Sequence, residues 1–256
     1  MSAMYGIVVR DLSRAFRQKS RVIGGLARPL MWLLLVGTGY NTIARVDGVA
    51  SYQVFIYPGV IVMATLFGAM LTAISTVYDR EFGMLRLMLA SPAGVPAILA
   101  GRAIAATAIG TIQGFVVLLF LPLITSVTFM QLVAAAGVLV LAAAASSVVG
   151  LLVAAPLKSV ENFAGVINVV LFPMLFLSGA LYPTRHMPTI LRTAAKLNPV
   201  SYSVDLMRAA LGQPSEFGAA QSILALTATV VALFLATAVV FDPERRVVFR
   251  DRPARP

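Results

Sequence analysis

Six long apolar stretches, nearly free of charge, constrain this chain more than any other feature of its sequence. Four of them contain no Asp, Glu, Lys or Arg, and the other two each carry one Arg near the start, Arg28 and Arg102. A charged side chain at the centre of a bilayer costs about 2.5–3.5 kcal/mol on insertion scales, so long charge-free windows mark membrane spans. We predict an all-α membrane protein, a single domain over residues 1–256, with six transmembrane helices. The predicted spans are residues 26–44, 54–77, 99–124, 132–154, 162–182 and 219–241.

The composition and charge agree with a membrane protein. Hydrophobic residues make up 59% of the chain and charged residues only 12%, whereas soluble domains average about 45–50% and 25%. The net charge of +10 comes from basic residues at the ends of the apolar stretches and in the termini. This placement favours anionic lipid headgroups over nucleic acid. We therefore expect membrane lipids as partners and no nucleic acid.

The distribution of basic residues predicts the topology. With six spans and the N-terminus inside, the inner segments hold 15 of the 20 Lys and Arg residues. The positive-inside rule then places both termini in the cytoplasm. We expect a multi-pass protein of the cell inner (plasma) membrane.

Residues 3–21 have the pattern of an amphipathic helix that lies on a membrane surface. Apolar residues share one side at helical spacing: Tyr5, Val8, Leu12, Ala15 and Phe16. Basic residues share the other side: Arg10, Arg14, Arg17 and Arg21. The pattern predicts an interfacial helix. A basic leader, an apolar core and then Thr42-Ile43-Ala44 would also fit a cleaved secretory signal, but the long leader and five further apolar stretches favour a first span.

Sequence signatures of catalysis are missing from the chain. A nucleotide phosphate loop needs G-x-x-x-x-G-K-[ST], and none of the three lysines follows such a run. His186 is the single histidine, so no His cluster suggests a metal site. Ionisable residues lie near span ends or in loops, which leaves a proton or sodium relay without evident carriers. We predict no catalytic residue, no metal and no cofactor on this chain.

The segment "YDREFGMLRLMLASP", residues 78–92, places charges before a comb of Leu and Met between two spans. On a helix, its Phe, Leu and Met residues form a broad apolar surface beside a narrow stripe that contains Asp79, Gly83, Arg86 and Ala90. Such a helix is either an interfacial elbow between two spans or a docking surface for a cytoplasmic partner. The residues alone leave both interpretations open.

Three segments in order along the chain resemble the type 2 family of ATP-binding cassette (ABC) transporter permeases, in its drug, lipid and polysaccharide export group. The first is the segment above, which resembles the family's cytoplasmic segment at Arg80, Glu81, Gly83, Leu85, Leu89, Ser91 and Pro92. The second, "LFPMLFLSGALYP" at residues 171–183, is similar to the fifth span and its exit. The third, "LNPVSYSVDLMRAAL" at residues 197–211, resembles the outer segment, with an Asn-Pro start and an acidic and a basic residue three positions apart. Phe82 stands where the family often carries a further charge.

The resemblance implies a coupling helix over residues 79–91 that fits a groove on a separate ATPase subunit. The implied docking residues are Asp79, Arg80, Glu81, Phe82, Gly83, Leu85, Arg86 and Leu89. It further implies a permease homodimer with two ATPase chains, which would hold the ATP and Mg. On this basis the function is export of an amphipathic or lipid-like substrate.

The resemblance also implies where substrate passes. We expect a path lined by spans two and five, with apolar and aromatic candidates at Phe55, Met63, Phe67, Phe163, Phe172 and Phe176. The outer segment, residues 183–217, is expected to hold two short re-entrant helices before the last span, although a surface Ω-like loop is an alternative. Its expected gate residues are Asn198, Pro199, Asp205 and Arg208, with the last two forming a local ion pair.

Two other classes of function remain open at this point. A membrane scaffold or membrane-embedded enzyme would work without any ATPase. A secondary transporter would depend on an ion gradient instead of ATP.

Overall fold

The computed structural model describes residues 2–40, 51–90 and 94–250. Within these residues every regular element is a helix, which confirms the all-α prediction. Some predicted features lie outside the described residues: positions 41–44 of the first span, the side chain of Arg21, and Ser91 and Pro92 at the end of the coupling motif.

The N-terminal segment forms two helices instead of the one predicted over residues 3–21. Helix α1 (Ser2–Arg17) ends before Gln18, whose backbone (φ −91°, ψ 67°) is not helical, and α2 (Lys19–Met31) follows. The side chain of Gln18 makes no capping hydrogen bond at the start of α2. Arg21 therefore belongs to the second helix, so the predicted row of four arginines on one helix is wrong at its last member.

The chain then continues as a helix toward the start of the second span. A π-helical stretch, Trp32–Gly37, extends α2 and leads into the short α3 (Thr38–Tyr40). The ring of Tyr40 lies 5.8 Å from the ring of Tyr52. The described part of the predicted first span is therefore helical.

Five helical segments in the described ranges are long and apolar enough to cross a membrane. They are Tyr52–Glu81, Val95–Leu123, Phe129–Ala154, Val160–Leu177 and Ala219–Phe241. These segments match the second to sixth predicted spans within five residues at each end, and the last segment matches its predicted span exactly. The first predicted span is not among the five and stays a prediction.

The helices that build these segments are named in chain order. They are α4 (Tyr52–Thr72), α5 (Ile74–Glu81), α6 (Met84–Leu89), α7 (Val95–Leu118), α8 (Phe129–Ala154), α9 (Val160–Leu177), α10 (Thr189–Leu197), α11 (Pro199–Ala210) and α12 (Ala219–Arg250). The outer segment thus contains two short helices, α10 and α11, instead of an open loop. Their insertion into the membrane stays a prediction.

Helix α4 is the centre of the bundle. It packs against α7 and α8 along its length, and nearly all of its side chains are buried. The hydroxyl of Tyr57 donates to the carbonyl oxygen of Val117 at 2.7 Å, which links α4 to α7 inside the apolar core. By contrast, α9 and α12 are mostly exposed in the single chain. Their apolar outer faces must contact lipid or another protein chain, because water would penalise so much exposed apolar surface.

The two ends of the bundle differ. One end, called the elbow end, contains the turn between α5 and α6. A small apolar cluster joins α1, α6, the start of α7 and α12 there, and its members are Ile7, Leu85, Leu89, Val95, Ile98, Leu99, Ala155 and Phe241. At the far end, the hydroxyl of Tyr52 donates to the carbonyl oxygen of Leu181 (2.9 Å) and the Gln213 amide donates to that of Val54 (2.9 Å). Helix α1 and the end of the last span therefore share one end of the molecule.

Candidate functional site: the elbow between the second and third spans

The elbow comprises residues 78–90, where α5 turns sharply into α6. Gly83 makes the turn with φ 75°, a left-handed conformation that residues with a Cβ rarely adopt. Nothing lies within 4 Å of the place where a Cβ would stand. Backbone conformation, and not space, therefore explains why this position is glycine.

Asp79 is the hub of an ion-pair network inside the elbow. Its carboxylate accepts from the guanidinium groups of Arg102 (2.6 Å), Arg10 (2.6 Å) and Arg14 (3.2 Å). Asp79 is only 4% exposed and Arg102 only 2%. Arg102 also donates to the hydroxyl of Thr76 at 2.9 Å. Charge-assisted bonds of this kind are short and strong, so the network ties α1, α5 and α7 together.

The partners of Arg10 keep it charged. Burial alone would lower the pKa of Arg10, but the nearby carboxylates of Asp11 and Asp79 outweigh burial and raise that pKa above its usual value. Asp11 is itself buried and accepts from Arg10 at 3.0 Å. The amphipathic helix therefore attaches to the bundle through charged contacts, a role that its basic pattern alone did not reveal.

The next two charges of the elbow bind the junction between α8 and α9. The guanidinium of Arg80 donates to the carbonyl oxygens of Ala154 (2.9 Å) and Leu157 (2.5 Å), near the C-terminal end of α8. The carboxylate of Glu81 accepts from the backbone amide of Val160 at 2.9 Å, at the N-terminus of α9. Carbonyls at a helix C-terminus favour a cation and amides at a helix N-terminus favour an anion. Residues of opposite charge thus join the elbow to both helices.

The short helix α6 has one buried and one exposed face. Leu85 and Leu89 are buried in the apolar cluster that α6 shares with α1, α7 and α12, and they hold α6 to the bundle. The opposite side, called here the elbow surface, consists of Phe82 (74% exposed), Met84 (46%), Arg86 and Leu87 (68%). Phe82, Met84 and Leu87 are the apolar members of this surface, and exposed apolar patches are typical of interaction sites.

The structure thus sorts the eight predicted docking residues into four groups. Asp79, Leu85 and Leu89 are buried within the chain, and Arg80 and Glu81 bind the junction between α8 and α9. Phe82 and Arg86 lie on the elbow surface, and Gly83 makes the turn. Met84 and Leu87 belong to that surface but were not among the predicted docking residues. The predicted apolar surface of this segment contained all of its Phe, Leu and Met residues, and helical spacing alone could not show which of them the rest of the chain covers.

A cleft of about 330 Å³ runs beside the elbow surface. Its lining includes Arg80, Arg86 and Lys158, together with Glu81 and the two buried leucines. Glu81 and Arg86 therefore face a common space at the edge of the elbow.

Three of the six predicted path residues come together. Met63, Phe172 and Phe176 line a small apolar cavity of about 20 Å³ between α4 and α9. Trp32 of the π-helical stretch completes this cavity, with its ring 6.1 Å from that of Phe176 in an edge-to-face arrangement. Trp32 was not predicted here, although a single Trp inside an apolar stretch could have suggested it.

The other three predicted path residues lie inside the chain. Phe163 is fully buried in the core. Phe55 lies 4.2 Å below the guanidinium of Arg208, and Phe67 lies 5.3 Å from that of Arg28. Their role in a path stays a prediction.

The predicted gate residues hold the far end together, but not as an Asp205–Arg208 pair. Asp205 instead accepts from the backbone amides of Glu216 (2.5 Å) and Phe217 (3.3 Å) and from the hydroxyl of Ser222 (3.1 Å). Arg208 donates to the carbonyl oxygen of Gly179 at 2.7 Å. The predicted local pair is therefore wrong: the two side chains point to different neighbours, because residues 179 and 216–222 come close only in the folded chain.

Asn198 and Pro199 start α11. The Asn198 side chain accepts from the amide of Val200 (3.1 Å) and donates to the carbonyl oxygen of Met174 (2.6 Å). It therefore caps α11 and fixes it to α9.

Burial lowers the pKa of Arg208 on α11 to about 10, although Glu216 and Asp205 nearby act in the opposite direction.

Sequence reasoning missed one further contact at the far end. The carboxylate of Glu216 accepts from both the backbone amide (3.0 Å) and the hydroxyl of Thr184. No short-range sequence signal connects positions this far apart. In the part of the chain that the structure describes, no group of three or more His, Asp or Glu side chains could hold a metal ion.

The five apolar helical segments are those of a polytopic membrane protein, and the elbow places an exposed apolar patch at one end of it. The sequence matches the family model of the ABC-2 type transporter over residues 3–212. Nodulation protein J of Rhizobium leguminosarum bv. viciae is 31% identical over 201 residues, which cover 75% of this chain and 76% of that protein. A putative transport permease ycf38 of Cyanophora paradoxa is 29% identical over 215 residues, covering 80% of this chain and 72% of that protein.

The chain belongs to the ABC-2 type transporter family. This confirms the resemblance carried by the three motifs. The protein is thus the membrane transport subunit of an ABC transporter, and permeases of this family work with an ABC ATPase.

Proposed function

We propose that this chain forms, as a homodimer with two copies of a separate ATPase subunit, an ATP-driven exporter. It would have six spans, both termini in the cytoplasm and a place in the cell inner membrane. Its substrate would be amphipathic or lipid-like. The family membership supports the transport role, and the excess of basic residues in the inner segments supports the orientation.

One observation carries the docking proposal: the elbow presents exposed apolar side chains on a rigid base. Phe82, Met84 and Leu87 project outward, while Arg80 and Glu81 bind α8 and α9 from beneath. Apolar anchors on a rigid support are what a protein partner can bury with little loss of side-chain freedom. The ATPase subunit would receive this surface in its groove.

The contacts beneath the elbow suggest how movement would spread. ATP binding would close the ATPase pair and push the elbow surface. Asp79 would carry this push to α7 through Arg102, and Glu81 would carry it to the start of α9. Helix α9 contributes Phe172 and Phe176 to the proposed path, so its displacement would change access there.

The proposed path lies where α4 and α9 meet. The cavity at Met63, Phe172 and Phe176 is about the size of one water molecule, which would correspond to a closed state of the path. Its lining is apolar and aromatic, which suits lipid-like cargo. The exposed outer face of α9 would meet the second permease at the homodimer interface.

Two substitutions on the elbow surface test the docking proposal. The double variant Met84→Asp and Leu87→Asp is co-expressed with an ABC ATPase subunit that co-purifies with the wild-type protein, and co-purification and ATP hydrolysis are measured. We expect at least tenfold weaker association, because apolar anchors at the centre of an interface dominate its affinity. Leu197→Asp, which changes an exposed leucine at the far end, should leave association unchanged. Wild-type association of the double variant would remove the elbow surface from the docking site.

Cysteine cross-linking tests the homodimer, since the chain contains no cysteine of its own. Val169 on α9 is 73% exposed, and Val239 on α12 is 72% exposed. We expect Val169→Cys to form a disulfide-linked dimer in membranes and Val239→Cys to remain monomeric under the same oxidation. The reverse pattern would place the interface on α12.

A further inference from the structure

We propose that the cleft between α1 and the elbow is a binding site for the headgroup phosphate of an anionic lipid. The cleft has a volume of about 410 Å³ and is lined by Arg10, Ser13, Arg14, Arg17, Asp79 and Met84. This assignment concerns a specific lipid site and does not depend on the proposed export function.

The charges around the cleft leave a positive excess. Arg10, Arg14 and Arg102 surround two carboxylates, those of Asp79 and Asp11. These three cations and two anions form one partly buried network with a net charge of +1. Arg17 adds a further positive charge at the cleft, and it is exposed. An anion in the cleft would offset this excess.

The arginines nearest to solvent have capacity for such a ligand. The side chain of Arg14 is 39% exposed and makes one 3.2 Å contact with Asp79. A guanidinium has five N–H donors, so one such contact leaves several of them for phosphate oxygens. Ser13 lines the same cleft and can add a hydroxyl donor.

The faces of α1 favour a lipid over a free anion. Ile7, Asp11 and Ala15 form its buried face against the bundle. The arginines of the cleft lie on one flank of that face. Another flank is apolar yet exposed, and it carries Tyr5, Val9 and Phe16. A helix with adjacent basic and exposed apolar flanks lies in the membrane interface, with the apolar flank among acyl chains and the basic flank at headgroup level.

This arrangement also favours a lipid over an acidic protein segment. An acidic segment would satisfy the arginines but leave Tyr5, Val9 and Phe16 uncovered. An anionic lipid satisfies both flanks, because its phosphate reaches the cleft while its acyl chains cover the apolar residues.

Lipid titration of the purified full-length chain, followed by native mass spectrometry, tests the site. The probes are phosphatidylglycerol, phosphatidylcholine and inorganic phosphate. We expect phosphatidylglycerol to bind at least tenfold more tightly than phosphatidylcholine. Arg17→Gln should weaken phosphatidylglycerol binding about fivefold, as expected for one basic residue near an anionic headgroup. Ser13→Glu should weaken it at least as much, because it places a negative charge in the cleft.

Two controls separate the site from general charge effects and from misfolding. Lys196→Gln removes one exposed positive charge on α10 at the far end and should leave binding unchanged. Phe16→Ser should weaken lipid binding and leave the binding of inorganic phosphate unaffected. Unfolding midpoints followed by the fluorescence of Trp32, the single Trp, should match wild type in every variant.

Three outcomes would overturn the proposal. Equal binding of inorganic phosphate and phosphatidylglycerol would identify a free-anion site. Unchanged lipid binding in both Arg17→Gln and Ser13→Glu would place the lipid elsewhere. A loss of ATPase association in these variants, without any preference for phosphatidylglycerol, would assign the cleft to an acidic protein segment.

Discussion

Replacing Asp79 by Asn is the most informative single change in the elbow. The side chain keeps its shape but loses the carboxylate that binds Arg102 directly, so Asp11 is left as the nearby negative charge. Arg102 is almost wholly buried, so it cannot recover water as a partner. The hydroxyl of Thr76 remains bound to it but carries no charge.

The magnitude follows from the burial of each partner. Removing one member of a buried ion pair costs about 3–5 kcal/mol, because the other charge is left buried without compensation. The contacts to Arg10 and Arg14 contribute less, since 36% and 39% of those side chains are exposed and such pairs are worth about 0.2–1 kcal/mol. Asp11 still acts on Arg102 in the variant and reduces this cost. We therefore expect Asp79→Asn to lower the free energy of unfolding by about 2–4 kcal/mol.

The assay is unfolding of the purified protein by a denaturing detergent in mild micelles. Trp32 is the single tryptophan and packs against Phe176, so its fluorescence reports loss of the native bundle. Glu161→Gln serves as the matched control, because it makes the same kind of change at an exposed position in the first turn of α9. The control should have little effect.

A second substitution sharpens the test. Adding Arg102→Met to Asp79→Asn removes the uncompensated charge, so the double variant should be more stable than Asp79→Asn alone. The reasoning would be refuted if Asp79→Asn cost less than about 1 kcal/mol. It would also be refuted if Arg102→Met were equally destabilising with and without Asp79.

Three further changes test other contacts with the same unfolding assay. Gly59→Val should destabilise the protein by roughly 1–3 kcal/mol, because a Cβ there would lie 2.6 Å from the Cβ and 2.7 Å from the Cα of Ala180. An unchanged unfolding midpoint would show that the segment around Ala180 can move away from α4 without cost. Gly137→Ala, with nothing within 4 Å, should be neutral or stabilising by up to about 1 kcal/mol from helix propensity. Asp205→Asn should destabilise the protein by about 1–3 kcal/mol, because it weakens the acceptor for two backbone amides and a hydroxyl. The segment of residues 213–222 should then become less resistant to proteolysis. Unchanged resistance would contradict this role of Asp205.

Hydropathy predicted the positions of the apolar spans well. The second to sixth spans were found because a charge inside a bilayer is costly wherever the helix packs. The break at Gln18 was missed, since no Pro, Gly or cap in the adjoining sequence marks it. The turn at Gly83 was visible as a glycine, but its left-handed conformation and the resulting rotation of α6 were not.

The candidate site was predicted at the correct segment but with partly different residues. The charges before Gly83 suggested contacts with a partner, and the structure uses Asp79, Arg80 and Glu81 inside the chain. Their partners lie at residues 10–14, 102 and 154–160, and no local pattern links positions so far apart. Met84 and Leu87 could be distinguished from Leu85 and Leu89 only once α1, α7 and α12 were in place to cover one face of α6.

The sequence by itself determined the membrane character, the approximate positions of five apolar spans and the family motifs. Each follows from local composition or from residues that are close along the chain. Tertiary structure alone decided which elbow residues are exposed, that α1 attaches to the bundle through Asp79, and that Asp205 and Arg208 serve different neighbours. The physical reason is that a charged side chain takes the partners that folding brings within hydrogen-bond distance, and helical spacing cannot specify those partners.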